Sequence, residues 1–321
     1  MMTTTNQNVI DPVPVELLEM ELTPDRLLRD TNKGGNKIYI IDAFSAPNVM
    51  REVGRLREIA FRAAGGGTGK DCDIDEFDTM EPPCRQLVVW DPEAREIIGG
   101  YRFIPGNEIK MRSDGMPRIA TSHMFSFSER FLKDYLPHTI ELGRSFVRLE
   151  YQTTRVGVKA LYALDNLWDG LGALTVIYPD MRYLFGKVTM YPSYNADCRN
   201  MILYFLTKHF PDPDRLVWPM TPLTTHMDNE AMRKLFIHDT FKDDYKILNK
   251  AIRDHGYNIP PLVNAYMSLS PSMRMFGTAI NDEFGNVEES GIFFVIDEIF
   301  EEKKGRHIGT FIPINPSPED K

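Results

Sequence analysis

The chain predicts a mixed α/β fold. Three observations carry this. Short apolar runs alternate with segments of helical periodicity. Two successive runs, 85–90 and 96–104, are joined by a turn beginning Asp91-Pro92, which makes them a hairpin. No Pro/Gly linker divides the 321 residues, although that length admits one large domain or two ordinary ones. The expected layout is an irregular polar lead-in over 1–35, an α/β domain over 36–300 with a helical insertion at about 211–258, and a polar tail over 301–321.

In order, 37–41 (Lys37-Ile38-Tyr39-Ile40-Ile41) reads as a short strand. Pro47 then opens a helix to about Ala64, with Val49, Met50, Val53, Leu56, Ala60 and Phe61 near helical spacing. The run Gly65-Gly66-Gly67 ends it. After the hairpin, 128–135 predicts a helix and 139–147 a strand. A helix follows over 160–176, with Leu161, Leu164, Trp168 and Leu171 on one stripe that reads as core. Strand 183–188, helix 196–210, a charged helical stretch over 229–255, and strands 273–280 and 291–296 complete the order.

Composition narrows the function. With 42% apolar and 26% charged residues the chain is a globular protein, and a net charge of −9 argues against non-specific nucleic-acid binding. Cys72, Cys84 and Cys198 are too scattered for a disulfide framework or a zinc site, and no metal is expected. The polar N-terminus is not read as a signal peptide, and no run approaches a membrane span. A cytoplasmic location is expected, with any contact at the inner membrane peripheral.

Three segments carry chemistry. The first is the strand Thr139 to Val147, which embeds Glu141, Gly143, Arg144 and Ser145 among apolar residues. A carboxylate and a guanidinium there are costly to bury unless they pair or react. Strict alternation puts Glu141, Gly143 and Ser145 on one face and Arg144 on the other, whereas a bulge at Gly143 changes this and frees a backbone N–H for an oxyanion. The second is Arg102, in the apolar run 98–104. The third is an acidic knot, with six acids and no base from Asp71 through Glu81. It reads as a solvated loop, as a cation site, or as a partner for Arg57 and Arg102; a calcium loop is excluded by its spacing. Together these segments suggest acylation of an amine, with Glu141 either its base or an ion-pair partner of Arg102 or Arg144.

This order and these motifs resemble the GCN5-related N-acyltransferase (GNAT) fold, which implies a mixed, largely antiparallel sheet flanked by helices, and within it the long-chain branch that uses acyl carrier protein. That branch holds ornithine-lipid and glycine-lipid N-acyltransferases, some labelled hemolysin-like, N-acyl amino acid synthases and, more distantly, acyl-homoserine lactone synthases. The matching residues are Arg57 and Phe61, Asp75 and Asp78, Arg102, Glu141 with Arg144 and Ser145, and a closing stretch Pro260 to Tyr266 followed by Phe284-Gly285. The resemblance implies a catalytic set of Glu141, Arg144 and Arg102, with Arg57, Phe61, Asp75, Asp78 and Ser145 around the donor and substrate site. It implies no bound cofactor; the donor is the phosphopantetheine thioester of acyl carrier protein. The implied acceptor is an amino acid, glycine before ornithine, and the acyl group a long 3-hydroxyacyl chain destined for an aminolipid.

Two departures shape that reading. The lactone synthases carry a tryptophan where this chain has Gly65-Gly66-Gly67, which argues against a lactone product. The pyrophosphate-binding glycine motif of acetyl-CoA members is missing, its nearest run being Thr153 to Lys159, which disfavours coenzyme A. The basic residues Arg144, Arg148, Arg155 and Lys159, against Glu150 alone, suggest a docking edge for an acidic carrier protein, or an ordinary mixed surface. The rivals are a coenzyme A-dependent acetyltransferase and a membrane-active hemolysin-like lipid binder, the latter without a lytic amphipathic helix to support it. His238 to Asp243 matches the His-x4-Asp pattern of glycerolipid acyltransferases but lacks their downstream phosphate-binding motif. Cys72 is set aside as a nucleophile because Asp71 and Asp73 suppress its thiolate.

Overall fold

The computed structural model describes residues 6–152 and 158–313, with the backbone alone for 158–161. Helix α1 (Val15–Glu21) and strand β1 (Leu27–Asp30) lead to β2 (Lys37–Ile41) and the long helix α2 (Pro47–Ala64). One short turn of helix, α3 (Glu76–Thr79), precedes the hairpin β3 (Arg85–Asp91) and β4 (Glu96–Pro105). Then come β5 (Phe125–Phe127), β6 (Thr139–Val147), α4 (Val158–Ile177), β7 (Tyr183–Met190) and α5 (Ala196–His209). The last third holds β8 (Val217–Pro219), α6 (Asn229–Leu235), α7 (Phe241–Asp254), α8 (Pro261–Met267), β9 (Arg274–Asn281), β10 (Val287–Val295) and α9 (Glu301–His307).

Eight strands form one sheet in the order β1-β2-β3-β4-β6-β7-β10-β9, while β5 and β8 pair apart from it. All neighbours in the large sheet are antiparallel except β6 and β7. Helices cover both faces, which is why β4 is buried from Ile97 to Pro105. Helix α2 starts at Pro47, whose fixed φ suits the first helical position. It stops at Gly65, whose φ of 97° is a left-handed cap that a β-carbon would strain. Its Val49, Val53 and Leu56 pack with Val88, Trp90 and Phe146. On the other face Leu167, Leu171 and Leu174 of α4 pack with Leu87, Phe103 and Leu142.

The parallel pair is short. It runs from Thr139 opposite Tyr183 to Leu142 opposite Gly186, yet β6 continues to Val147 and β7 to Met190. Beyond Leu142, β6 stays bonded to β4 and β7 to β10, so the sheet splits between them. A bulge sits at the same place. Gly143 faces Arg102 and Phe146 faces Gly100, which leaves Arg144 and Ser145 opposite Tyr101 alone. Arg144 has φ 49°, the left-handed region, as a bulge residue can.

Several expectations need correcting. Of the lead-in expected to be irregular over 1–35, the described part 6–35 is not: β1 pairs with β2, and Leu18 and Leu22 join the core under α2. Four residues with a buried Arg29 are too few to show a period. The tail is not simply polar, since α9 buries His307 against Asp169 at 2.8 Å and Phe311 joins the core. Residues 314–321 lie outside the described set. The 211–258 segment is not wholly helical, because it contributes β8, and its helices α6 and α7 are separate. The helix expected over 128–135 is present from 129, with its Phe131–Tyr135 part π-helical. The last strand begins at Val287, not 291: its polar start Glu288-Glu289 masks the pattern.

Candidate active site

The acidic knot folds onto the arginines. Asp75 caps α3, its carboxylate accepting from the Phe77 and Asp78 amides while Asp78 accepts from the Asp75 amide. That local turn aims both carboxylates at the sheet. Arg102 donates to Asp75 at 2.6 Å and lies 3.4 Å from Asp78. Arg57 pairs with Asp78 at 3.2 Å, and both also bond Gln86. Arg144 pairs with Asp73 at 3.0 Å and Asp75 at 3.4 Å, its guanidinium lying 4.3 Å from the centre of the Phe284 ring. Arg57, Arg102 and Arg144 thus meet Asp73, Asp75 and Asp78, three charges of each sign. Burial alone would raise the pKa of Asp75, but the charges of Arg102 and Arg144 outweigh it and hold the carboxyl low. At Asp73 burial prevails and the pKa is raised.

Because of the bulge, Arg144 turns to the face that carries Glu141 and Arg102, not to the opposite one as strict alternation has it. Ser145 instead meets the hydroxyl of Tyr101. The bulge lies at Arg144–Ser145 rather than at Gly143.

Glu141 is 2% exposed and accepts a hydrogen bond from the Thr121 amide at 3.1 Å. Burial pushes its pKa up, with the Arg102 charge and the Thr121 bond pulling the other way.

The split sheet opens a cavity of about 720 Å³. Leu142, Trp168, Leu171, Leu184 and Ile292 line it from the α4 side, and Lys187, Glu289 and Phe284 from the side of the acidic knot. A second cavity of about 450 Å³ is polar, walled by Asp75, Arg102, Glu76, His123 and Asn281. Both are lined by Arg144, Lys187 and Phe284, which therefore mark their junction. Glu141 lines neither.

Of the remaining expected residues, Phe61 and Ser145 line the larger cavity, Phe61 resting edge-on against Phe284 at 5.1 Å. The proposed docking edge is not a row of unpaired bases. Arg144 points inward, and Arg148 binds Glu96 at 2.5 Å and Glu150 at 3.0 Å. Arg155 lies outside the described residues, and so does the Lys159 side chain. Asp243 of the His-x4-Asp pattern lies in the first turn of α7, where Thr240 is the cap: the Thr240 hydroxyl accepts from the Asp243 amide and lies 2.8 Å from its carboxylate. Burial, then Asp73 and Asp71, push the Cys72 thiol up to about 11, which fits its exclusion. Among the described residues no group of His, Cys, Asp and Glu is placed to hold a metal.

The sequence reading missed Lys187, Glu289 and the Tyr101–Tyr266 pair. Lys187 Nζ bonds Glu289, which also accepts from Thr189 and Asn281, each at 3.3 Å. The hydroxyls of Tyr101 and Tyr266 meet at 2.8 Å, fully buried on the wall of the larger cavity. A signal for Lys187 was present: a lone cation in the apolar run Tyr183 to Val188.

Comparison with known proteins agrees with this architecture. The family described as Acetyltransferase (GNAT) domain matches residues 56–161. A glycine N(alpha)-acyltransferase of Bacteroides thetaiotaomicron is 66% identical over 310 residues, covering 97% of this chain and 92% of the relative. One of the same name from Phocaeicola vulgatus is 62% identical, covering 97% and 95%. A solved N-acyl amino acid synthase from uncultured soil microbes aligns over 82% of this chain and 93% of its own, at 10% identity and a TM-score of 0.39, too weak a likeness to argue from.

Proposed function

Since the chain belongs to the GNAT-type acyltransferase family of these glycine N(alpha)-acyltransferases, we propose that it transfers a long acyl chain from acyl carrier protein to the α-amine of glycine. One observation carries the reading: a large cavity with many apolar walls and a smaller polar one meet at Arg144, Lys187 and Phe284. The acyl chain occupies the first, and burying its methylenes supplies the binding energy. Glycine enters from the second. The thioester carbonyl sits at the junction, where the neutral amine attacks. A C–N bond forms, the C–S bond breaks, and the leaving thiolate takes up the proton released from nitrogen.

Attack needs the acceptor ammonium to lose a proton first. Glu141 is the proposed base. Burial raises its pKa, which makes it a stronger base than an exposed glutamate, and because it lines neither cavity the transfer runs through an intervening water. Arg57, Arg102 and Arg144, with Asp75 and Asp78, form the rigid wall of the acceptor side. The buried hydroxyls of Tyr101 and Tyr266, beside Ser145, support a chain carrying a polar group near its thioester end, as a 3-hydroxyacyl chain does. The product, an N-acyl amino acid, is an intermediate for an aminolipid. No helix among the described residues is long and apolar enough to cross a membrane.

The test is direct. Purified protein is offered glycine, ornithine and serine in competition with long-chain acyl carrier protein, and products are identified by mass. N-acylglycine as the main product is expected. Preference for acetyl-CoA over the carrier-bound chain, or for another amine, overturns the assignment.

A further inference from the structure

Lys187 and Glu289 form a buried ion pair that the charges around it do not require. The three arginines of the acceptor wall are already matched by Asp73, Asp75 and Asp78. The pair stands apart on β7 and β10, with side chains 9% and 3% exposed. A buried ion pair is weak evidence for stability, since well-packed apolar residues commonly serve as well. Its position is informative. Lys187 lines both cavities at their junction, whereas Glu289 lines the donor cavity alone.

We infer that Lys187 and Glu289 are the acceptor clamp, reading the two charges of an α-amino acid. This rests on the proposed acylation of glycine and adds the residues that select and orient it. Glycine carries an ammonium and a carboxylate on the two sides of one carbon. A lysine and a glutamate in direct contact present the complementary charges at matching separation. In the absence of acceptor they satisfy one another. When glycine enters, its carboxylate takes the Lys187 ammonium and its own ammonium takes the Glu289 carboxylate, so each buried charge exchanges one partner for another and none is left unpaired.

The geometry also fixes direction. Lys187 reaches the polar cavity, so the carboxylate end stays there. Glu289 faces only the donor cavity, so the nitrogen is drawn toward the thioester. Thr189 and Asn281 hold the Glu289 carboxylate from either side and keep it aimed while Lys187 turns away. An acceptor without a carboxylate leaves Lys187 with Glu289 and has no site for its nitrogen. An acceptor with one more methylene between its charges spans the pair poorly.

The experiment measures kcat and KM for glycine, glycine amide, β-alanine and methylamine in the wild type, Lys187→Met, Glu289→Gln and the exchange Lys187→Glu/Glu289→Lys, with thermal melts of each. Lys187→Met should raise the glycine KM about tenfold or more, the loss of one charge-assisted contact, and bring the glycine to glycine amide ratio close to unity. Glu289→Gln, which keeps the shape, should raise the KM for glycine about tenfold or more and leave that for glycine amide, which has no site on Glu289, little changed. It carries the test if Lys187→Met does not fold. The exchange should recover much of the melting temperature but not glycine acylation, because the two charges then face the wrong cavities. Recovery of both would make the pair merely structural and overturn the inference, as would a wild-type glycine to glycine amide ratio in Lys187→Met. A wild type that does not acylate glycine at all would instead overturn the proposed function.

Discussion

Arg57 and Asp78 pair at 3.2 Å with neither side chain reaching solvent. The pair ties α2 to the knot that supplies Asp73 and Asp75, so it supports the acceptor wall without lining either cavity. Removing one partner leaves the other charge buried and unmatched. Asp78→Ala should therefore cost about 3–5 kcal/mol, read by urea unfolding. A loss below about 1 kcal/mol would mean that water reaches the site and that the knot is not a packed element.

Glu141→Gln separates catalysis from folding. The amide oxygen still accepts from Thr121, and the variant loses a buried carboxylate whose pKa is raised. A raised carboxyl binds protons more readily folded than unfolded. The wild type therefore loses stability as pH rises through the interval above the usual glutamate value of about 4.3. At pH 7 the variant should be at least as stable as the wild type yet turn over about 100-fold more slowly or worse. Near-normal turnover in the folded variant would remove Glu141 from the mechanism.

The wall was more legible than the cleft. Arg102, Glu141 and Arg144 stand out because a charge in an apolar run is conspicuous, and Asp75 and Asp78 because they lie in an acidic knot; Arg57, among other charged helix residues, was marked only by the family resemblance. Arg144's direction was not legible, because a bulge shifts the period of two that alternation assumes. Lys187 and Glu289 become partners only through the β7–β10 register, which pairs residues a hundred positions apart. They also lie beyond the matched family segment 56–161. Strand β1 was hidden for a different reason: its four residues gain their burial from α4 and the C-terminal segment.

Asp75 sets the acid limit of the fold. Burial opposes its charge, but Arg102 and Arg144 hold its pKa below the ordinary value. The resulting stability is fully present above the unfolded aspartate value, about 3.9, and is lost as pH falls below it. Asp75→Asn keeps a capping side chain but not the charge. It should be less stable than the wild type at pH 7, with the difference shrinking as pH drops toward 2 in denaturation curves. A difference independent of pH would assign the loss to packing.

The Tyr101–Tyr266 hydroxyl pair should read the acyl chain. Each ring stays in the wall after Tyr→Phe, so the shape of the cavity is kept while one buried hydroxyl is removed. Either substitution should lower the preference for a 3-hydroxyacyl over an unsubstituted chain by about tenfold, the worth of one buried hydrogen bond. Competition between the two donors, resolved by mass, gives the ratio. An unchanged ratio would mean that these hydroxyls serve only each other.

The donor remains the sharpest division between readings. An acidic carrier protein approaching a chain of net charge −9 needs local basic residues, and Arg148 and Arg155 are two that the basic interval 144–159 offers. Arg148 is held by Glu96 and Glu150, so reversing it disturbs the protein's own pairs as well. Arg155→Glu is thus the cleaner probe. It should lower kcat/KM for long-chain acyl carrier protein about tenfold at low ionic strength, mainly through association. The loss should fade as salt shortens the Debye length from about 30 Å at 0.01 M to about 8 Å at 0.15 M. The same acyl chain on free pantetheine has no acidic protein to steer, so its kcat/KM should not change. Equal losses on both donors would place Arg155 in folding or chemistry. No loss on either would remove this edge as the docking surface.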